Sequence, residues 1–338
     1  MPQAVPAHLP ETMQVLEVSE LAPDLAGVAI ADRPVPQPGA GQALVRIEAA
    51  SLGFPDLLMT EGLYQAKPAL PFVPGMEAAG EVVAAGEGSR WQAGDKVIVA
   101  TLTGAVVQYG AFADAALLAL PVGMSFAEGA ALRAAYITAY TAIARIGGAE
   151  AGETLVVHGA AGGVGLAAVD LGKALGLKVI AVSSSEEKRE AIQHLYAPDH
   201  VLAGPTGLRE QILELTGGRG ADLVYDPVGG DVFDEACRYT AFGGRLLVVG
   251  FAGGRIAEVR TNIPLIKGFS VVGVRAGEYG RRFPDRGAAD MAAILKLAEE
   301  GRIRPHVHSA VPLDQWREAY LAMRERRVIG RTVILPQE

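Results

Sequence analysis

The sequence is poor in the residue types that mark several classes of protein. Its 338 residues include one cysteine, Cys237, so a disulfide framework and a cysteine-rich zinc lobe are both excluded. Lys and Arg number 30 against 38 Asp and Glu, which gives a formal net charge of −8. A basic surface for phosphate backbones is therefore not expected, and nucleic acid is excluded as a partner.

Long apolar runs are also missing. The most apolar region, residues 155–169, is interrupted by His158 and several glycines and is too short for the roughly 20 residues that span a bilayer. The first 16 residues contain no Lys or Arg and no continuous apolar segment, so they do not resemble a secretory signal. Together with the single cysteine, these features predict a cytoplasmic protein with no membrane partner.

The pattern of the chain changes near residue 120. Before that point, short alternating runs broken by turn residues predict a β-rich region, and a helix is expected over residues 126–146. Strands and helices then alternate as far as Val274, which predicts a parallel sheet covered by helices on both faces. The chain length favours two domains, and the fold class is α/β with a doubly wound sheet beside a β-rich part.

The most informative motif is a glycine-rich loop inside a strand–helix–strand unit. A strand over residues 154–158 precedes it, a helix over 164–175 follows, and the next strand covers 178–182. Gly162 leaves no Cβ between the backbone and a phosphate, and Gly165 lets the helix pack closely on the strand. Although Ala160 replaces the first glycine of the usual fingerprint, this context predicts a dinucleotide site formed by Ala161, Gly162, Gly163, Val164 and Gly165.

Seven segments together resemble the medium-chain dehydrogenase/reductase superfamily, and most of all its zinc-independent NADPH:quinone oxidoreductase branch. They span nearly the whole chain and cover residues 54–59, 71–77, 94–97, 136–140, 160–165, 226–230 and 243–250. The resemblance implies a GroES-like catalytic domain over residues 1–126 and a Rossmann NADP-binding domain over 127–276. It also implies that residues 277–338 return to the catalytic domain.

Two substitutions at the metal-binding positions of the superfamily indicate the reaction. Where zinc-dependent members have a cysteine and a histidine, this chain has Gly53 and Met76, so no metal is expected. Without a Lewis acid, an ordinary carbonyl is hard to polarise and an alkoxide is hard to stabilise. A quinone or conjugated enone delocalises the incoming charge itself, so orientation beside the nicotinamide can suffice.

The end of the second Rossmann strand favours NADPH over NADH. An NAD enzyme usually has Asp or Glu there, whereas this chain has Ser183 and Ser184. These small side chains leave room for a 2′-phosphate, and the resemblance places Lys188 at the phosphate-contacting position. Ser184 and Glu187 also have the spacing of a capping box for the next helix, and both roles are compatible.

The resemblance implies several further cofactor contacts. Thr138 is expected near the nicotinamide, and Val228, Gly250 and Phe251 are expected to line the nicotinamide pocket. Arg331 stands where relatives direct an arginine at the pyrophosphate; the alternative is a solvated charge on the last strand.

On the substrate side, two residues are candidates for the catalytic site. Tyr64 is expected to form a wall and to donate a hydrogen bond to a quinone oxygen, or else to pack under a loop. Asp56 is expected to orient the site rather than to act as an acid.

The leading hypothesis is thus an NADPH-dependent reductase of benzo-, naphtho- or phenanthrenequinones. A reductase of enones or enoyl thioesters is the alternative within the same class, and an NADPH-binding redox sensor without turnover is the alternative from another class. The strand over residues 271–274 is apolar and ends the sheet, which predicts a homodimer because an exposed apolar edge invites pairing.

Overall fold

The computed structural model describes residues 9–338, and the chain forms two compact units. The first unit comprises the residues up to Arg133 together with Val307–Glu338, and the second comprises Ala134–His306. Both ends of the chain therefore build the first unit.

The strands of the described residues are numbered β1 to β15 in chain order. They are Thr12–Val18, Val28–Pro34, Gln42–Leu52, Glu77–Ala85, Lys96–Ala100, Tyr109–Ala113, Leu117–Ala119, Thr154–Val157, Lys178–Ser183, His200–Ala203, Ala221–Asp226, Thr240–Val248, Ser270–Gly273, Val307–Pro312 and Arg331–Leu335.

The α-helices of the same residues are numbered α1 to α10. They are Phe54–Thr60, Phe126–Tyr140, Gly163–Ala174, Glu186–Tyr196, Leu208–Leu215, Asp231–Tyr239, Asn262–Lys267, Ala276–Arg282, Pro284–Glu299 and Trp316–Arg324. Single 3-10 turns cover Pro23–Leu25, Asp114–Ala116 and Leu313–Gln315.

The first unit contains an antiparallel pair of strands, β1 and β2, and a seven-stranded sheet. The larger sheet has the order β14-β15-β3-β4-β5-β7, and β6 also pairs with β3. The last strand, β15, runs antiparallel to β3 with Ile334 opposite Ala50. The C-terminal strand thus completes a sheet that begins near the other end of the chain.

The core of the first unit also takes side chains from both ends of the chain. Leu16 and Val18 of β1 pack in one apolar cluster with Trp316 and Tyr320 of α10. Leu16, Val18 and Tyr320 are fully buried. Burial of a large apolar side chain contributes about 1.5–3 kcal/mol to the stability of the folded state. Since Trp316 and Tyr320 pack in this core, α10 is an integral part of the unit.

The second unit is built on six parallel strands in the order β10-β9-β8-β11-β12-β13. Counted from β8, this is the order 3-2-1-4-5-6 of a doubly wound dinucleotide-binding fold. The strands are near-continuous apolar runs because helices cover both faces, and Leu155, Val156 and Val157 of β8 are fully buried. The strand order reverses between β8 and β11, where such folds place their ligand.

The predicted fold class is confirmed, and β13 is the edge strand that the sequence indicated. Two details differ. The helix α2 ends at Tyr140 and continues as a π-helical stretch, Thr141–Ile146. The helices α8 and α9 belong to the second unit, so the chain returns to the first unit only at Val307. The side chain of Arg145 holds α9 there, since its Nε donates to the buried carboxylate of Asp290 at 2.9 Å.

The physical reason for the second difference is that apolar periodicity identifies a helix but does not say which sheet covers its apolar face. Within residues 9–338, no helix combines the length and the apolar character that crossing a bilayer requires.

Candidate functional site

The glycine loop connects β8 to α3 at the carboxyl edge of the parallel sheet. Gly159 has a φ of +56°, a left-handed conformation that lets the chain turn directly after the strand. A Cβ on Gly165 would lie 2.2 Å from the carbonyl oxygen of Gly159. Gly165 therefore allows α3 to begin this close to the turn.

Gly162 has a different role from Gly165. It is the N-cap residue of α3 and is exposed, and a Cβ there would meet only the carbonyl oxygen of Gly159 at 3.4 Å. Packing within the unit does not require a glycine at this position. The first N–H groups of α3 have no helical partner and carry the positive end of the helix dipole. This open, electropositive turn fits a pyrophosphate.

Backbone hydrogen bonds hold the loop against the ends of the neighbouring strands. The N–H of His158 donates to the carbonyl oxygen of Tyr225 at 3.0 Å, and that of Ala160 donates to Val182 at 3.2 Å. The ends of β8, β9 and β11 are therefore aligned at one edge.

A tight turn follows β11 at the same edge. The carboxylate of Asp226 accepts hydrogen bonds from the N–H groups of Val228 at 2.8 Å and Gly229 at 2.9 Å. The N–H of Gly250 donates to the carbonyl oxygen of Asp226 at 3.4 Å, and a Cβ on Gly229 would lie 2.8 Å from the ring of Phe251. Val228, Gly250 and Phe251 are thus neighbours, and the Phe251 ring is 41% exposed.

The segment after β9 carries the residues predicted to select NADPH. Ser183 is buried at the end of the strand and Ser184 is exposed. The predicted capping box of Ser184 and Glu187 is wrong. The N-cap of α4 is Ser185, whose hydroxyl accepts a hydrogen bond from the N–H of Lys188 at 3.4 Å, because β9 continues through Ser183 and the helix begins one residue later.

Arg189 is a candidate that sequence reasoning missed. Its Nη1 donates to the carbonyl oxygens of Ser183 at 3.1 Å and Ser184 at 3.0 Å. This fixes a second positive charge beside Lys188, at the end of β9. The only signal in the sequence was its position directly after Lys188.

Thr138 lies in the helix α2, within the second unit. Its hydroxyl donates to the carbonyl oxygen of Ala134 at 2.7 Å. This bond to the preceding turn fixes the orientation of the hydroxyl, whose oxygen can still accept a hydrogen bond.

In the first unit, Asp56 joins two backbone segments. Its buried carboxylate accepts hydrogen bonds from the N–H groups of Gly53 at 2.9 Å and Gly75 at 3.0 Å. Burial raises the pKa of Asp56 to about 6, although both hydrogen bonds act in the opposite direction. Since each carboxylate oxygen already binds a backbone N–H, Asp56 positions the chain around Gly53 and Met76.

Glu77 and Arg331 form an ion pair beside this carboxylate. The Glu77 side chain is fully buried, and the Nη2 of Arg331 donates to it. The Nε of Arg331 is buried and has no hydrogen-bond partner among the described residues. Burial lowers the pKa of Arg133, on α2, and the charge of Glu77 partly opposes this effect. Two guanidinium groups therefore lie around one carboxylate.

These residues do not fit a catalytic zinc ion. A Cβ on Gly53 would lie 2.9 Å from Oδ2 of Asp56 and 3.6 Å from Nη1 of Arg331, so a guanidinium borders the space where a ligand would project. A guanidinium repels a metal ion, and the thioether of Met76 is a poor zinc ligand. In the part of the chain that the structure describes, no three His, Cys, Asp or Glu side chains are grouped as a metal site requires.

Tyr64 and Phe54 are aromatic residues of the first unit that are near Gly53 in the sequence and keep part of their surface exposed. Tyr64 is partly buried against the core of the unit, and its hydroxyl forms no hydrogen bond within residues 9–338. Phe54 directly follows Gly53 and is 44% exposed. Partly exposed aromatic rings of this kind suit a planar ligand.

The structure gathers the predicted residues into two sets. The glycine loop, Ser183, Val228, Gly250 and Phe251 share one sheet edge of the second unit, whereas Asp56, Tyr64 and Arg331 belong to the first unit. Sequence reasoning missed the turn glycine Gly159.

Comparisons with known proteins match both units. Residues 39–142 match the family model described as the alcohol dehydrogenase GroES-like domain, and residues 163–296 match the one described as zinc-binding dehydrogenase. The chain is 34% identical over 318 residues to quinone oxidoreductase-like protein 2 of Bos taurus, covering 94% of this chain and 90% of that protein.

Two solved structures are similar over nearly the whole chain. A probable oxidoreductase from Mycobacterium abscessus has 38% identity and a TM-score of 0.88, with 97% of this chain and all 100% of the other covered. The mycobacterial protein Rv1454c, solved in complex with NADPH, has 28% identity and a TM-score of 0.86, with 96% and 100% covered.

Proposed function

Since the chain belongs to the medium-chain dehydrogenase/reductase superfamily, among its quinone oxidoreductase-like members, we propose that it reduces quinones or similar activated conjugated carbonyl compounds with NADPH and without a metal. It is an oxidoreductase with a nicotinamide cofactor. The observation that carries the finer proposal is that Gly53 has no side chain to offer zinc and borders on a guanidinium, while the thioether of Met76 is a poor zinc ligand.

The second unit supplies the residues that would hold the cofactor. Gly162 and the first turn of α3 would bind the pyrophosphate, and Ser183, Ser184 and Lys188 would surround the 2′-phosphate. Thr138, Val228, Gly250 and Phe251 would contact the nicotinamide end. When bound, NADPH would supply the hydride.

The residues of the first unit then need only to orient the acceptor and deliver a proton. Asp56 holds the backbone at Gly53 and Gly75 by two hydrogen bonds, which fixes the surface beside Phe54. The hydroxyl of Tyr64 would donate a hydrogen bond to an acceptor oxygen. A quinone that gains one hydride and one proton becomes a hydroquinone, and its conjugated ring spreads the charge that a metal would otherwise stabilise.

The exposed apolar residues next to β13 support a homodimer. Phe242, Leu265 and Ile266 are among the most exposed large apolar side chains of the described residues, and Val271 of β13 is partly exposed. A Cβ on Gly268 would lie 2.3 Å from the Phe242 ring, so this ring lies over the end of α7. We name these four side chains the edge patch. A second copy of the chain that pairs along β13 would cover it.

The location proposed for the protein is the cytoplasm. Cys237 is the only cysteine and is a buried free thiol, which fits a reducing compartment.

The proposed function is tested by assaying the purified protein with three different acceptors. Initial NADPH oxidation is measured with 1,4-naphthoquinone, an α,β-unsaturated ketone and an enoyl-CoA, with and without a chelator. The highest kcat/KM is expected for the quinone, with no effect of the chelator and no oxidation of ethanol. Preference for the enoyl-CoA would favour the double-bond reductase, and NADPH binding without turnover would favour the redox sensor.

Tyr64→Phe separates the two roles of Tyr64 in the same assay. Loss of a hydrogen bond to the acceptor lowers kcat/KM by about tenfold, whereas a packing residue tolerates this change.

A further inference from the structure

Arg133 is an arginine without a partner of its own. It lies in the helix α2, is only partly exposed, and forms no hydrogen bond or ion pair with any residue from 9 to 338. Other partly buried arginines are paired, as Arg245 is with Glu153 and Arg331 with Glu77. Arg133 is therefore an exception that requires a physical explanation.

The nearby carboxylate of Glu77 does not neutralise Arg133 fully. Glu77 acts on Arg133 electrostatically, but it is already bound to the Nη2 of Arg331. Glu77 therefore acts on two guanidinium groups, and of these two it forms its ion pair with Arg331. The carboxylate of Asp56 accepts hydrogen bonds from Gly53 and Gly75, and its electrostatic partner is Arg331 and not Arg133.

A partly buried charge of this kind is costly unless a counter-ion reaches it. The planar guanidinium forms paired hydrogen bonds with a carboxylate or a similar oxyanion, so such a group would satisfy it. Arg133 belongs to the unit that contains the predicted acceptor residues Asp56 and Tyr64, whereas the predicted phosphate contacts Lys188 and Gly162 lie in the other unit.

We propose that Arg133 binds an anionic substituent of the acceptor, and that the natural acceptor is a conjugated carbonyl compound bearing a carboxylate or a similar oxyanion. This rests on the proposed function, because it specifies the acceptor of the same reaction. Arg133 then determines acceptor specificity and does not take part in hydride transfer.

The test uses two acceptors that share a ring system, 1,4-naphthoquinone and 1,4-naphthoquinone-2-sulfonate. The variant Arg133→Met keeps the length of the side chain and removes the charge. We expect it to raise KM for the sulfonate by at least about tenfold, while kcat/KM for the neutral quinone and the Kd for NADPH change less than about twofold. Comparing each variant with the wild type cancels the different reactivities of the two quinones.

Two further variants make the result specific. Arg133→Lys keeps the charge and should recover part of the sulfonate affinity. Arg33→Met is the control: it removes the same charge from β2 of the same unit, where Arg33 pairs with Glu17. It should leave the ratio of kcat/KM for the sulfonate to that for the neutral quinone unchanged.

The proposal would be overturned if Arg133→Met left the ratio of kcat/KM for the sulfonate to that for the neutral quinone unchanged, or lowered both values equally. So would a weaker affinity for NADPH alone, since Arg133 would then bind a cofactor phosphate. If the wild type oxidises no NADPH with either quinone, the proposed function fails. In that case the Kd for the sulfonate is measured by calorimetric titration of the protein. If Arg133 binds the anionic group, Arg133→Met should raise this Kd by about tenfold.

Discussion

Glu77 and Arg331 are 254 residues apart in the sequence, and their ion pair joins the first residue of β4 to the first residue of β15. Glu77 is fully buried, and the Arg331 side chain is 13% exposed. Because both charges have left water, each depends on the other for its stability. The pair therefore fixes Arg331 beside Gly53, where its guanidinium borders the space into which a side chain at that position would project.

Removing one member of this pair should destabilise the protein strongly. Glu77→Gln leaves the guanidinium of Arg331 without its ion-pair partner, and we expect the free energy of unfolding in urea to fall by about 3–5 kcal/mol. The double variant Glu77→Leu with Arg331→Leu should cost less than the sum of its single variants, because neither member of the ion pair is left without the other. A cost below about 1 kcal/mol for Glu77→Gln would show that the pair is solvated.

The glycine loop offers a matched pair of alanine variants. In Gly165→Ala the new methyl group clashes with the carbonyl oxygen of Gly159, so both stability and NADPH affinity should fall, the former by about 1–3 kcal/mol. In Gly162→Ala the methyl group meets only the carbonyl oxygen of Gly159, at the ordinary contact distance of 3.4 Å, so stability should be retained while the Kd for NADPH rises by at least about tenfold.

Fluorescence titration and thermal unfolding measure the two effects. Gly277→Ala is the control, since its methyl group would meet only the Nη1 of Arg281 at 3.9 Å. Unchanged NADPH affinity in Gly162→Ala would place the pyrophosphate elsewhere.

The loop could be predicted from the sequence because its elements are contiguous. The strand before it, the glycines and the helix after it lie within about twenty-five residues, so local rules suffice. The ion pair of Glu77 and Arg331 could not be predicted in this way, since no local sequence pattern indicates which charged residues far apart in the chain come into contact. Nor could the sequence assign α9 to the second unit, because its apolar face, with Ile294 and Leu297, is buried, and periodicity does not say against which sheet.

The choice between NADPH and NADH should depend on Ser183. Ser183→Asp places a carboxylate at the end of β9, where it repels a 2′-phosphate and can accept hydrogen bonds from ribose hydroxyls. We expect the ratio of kcat/KM for NADPH to that for NADH to fall by at least about tenfold. Ser183→Asn adds similar bulk without the charge and should change the ratio less. Equal effects of the two variants would mean that size, not charge, controls the preference.

The edge patch should control the oligomeric state. Ile266→Glu introduces a charge among the exposed side chains of Phe242, Leu265 and Val271. Because burying an unpaired carboxylate is costly, the variant should sediment as a monomer while the wild type sediments as a dimer. Val122→Glu, at another exposed apolar residue, is the control and should leave the dimer intact. A monomeric wild type would refute the proposal directly.

Asp170 should make stability depend on pH in an unusual direction. This residue of α3 is buried, and its carboxylate accepts hydrogen bonds from the hydroxyl of Tyr136 and from the N–H of Arg304, the latter at 2.8 Å. Burial raises the pKa of Asp170 from 3.8 to about 6, against the effect of both hydrogen bonds. The folded protein therefore retains a proton between these two pH values that the unfolded chain has lost.

A raised carboxyl pKa stabilises the folded state below pH 4, and this contribution is lost as the pH rises through about 6. The difference between the two pKa values corresponds to about 3 kcal/mol. Asp170→Asn cannot ionise, so the free energy of unfolding of the wild type relative to this variant should fall by about that amount from pH 4 to pH 7. Urea denaturation at several pH values measures it. Because Asp56 has a raised pKa in both proteins, its effect cancels in the comparison. A pH-independent difference would mean that Asp170 stays ionised throughout and that its two hydrogen bonds outweigh the cost of burial.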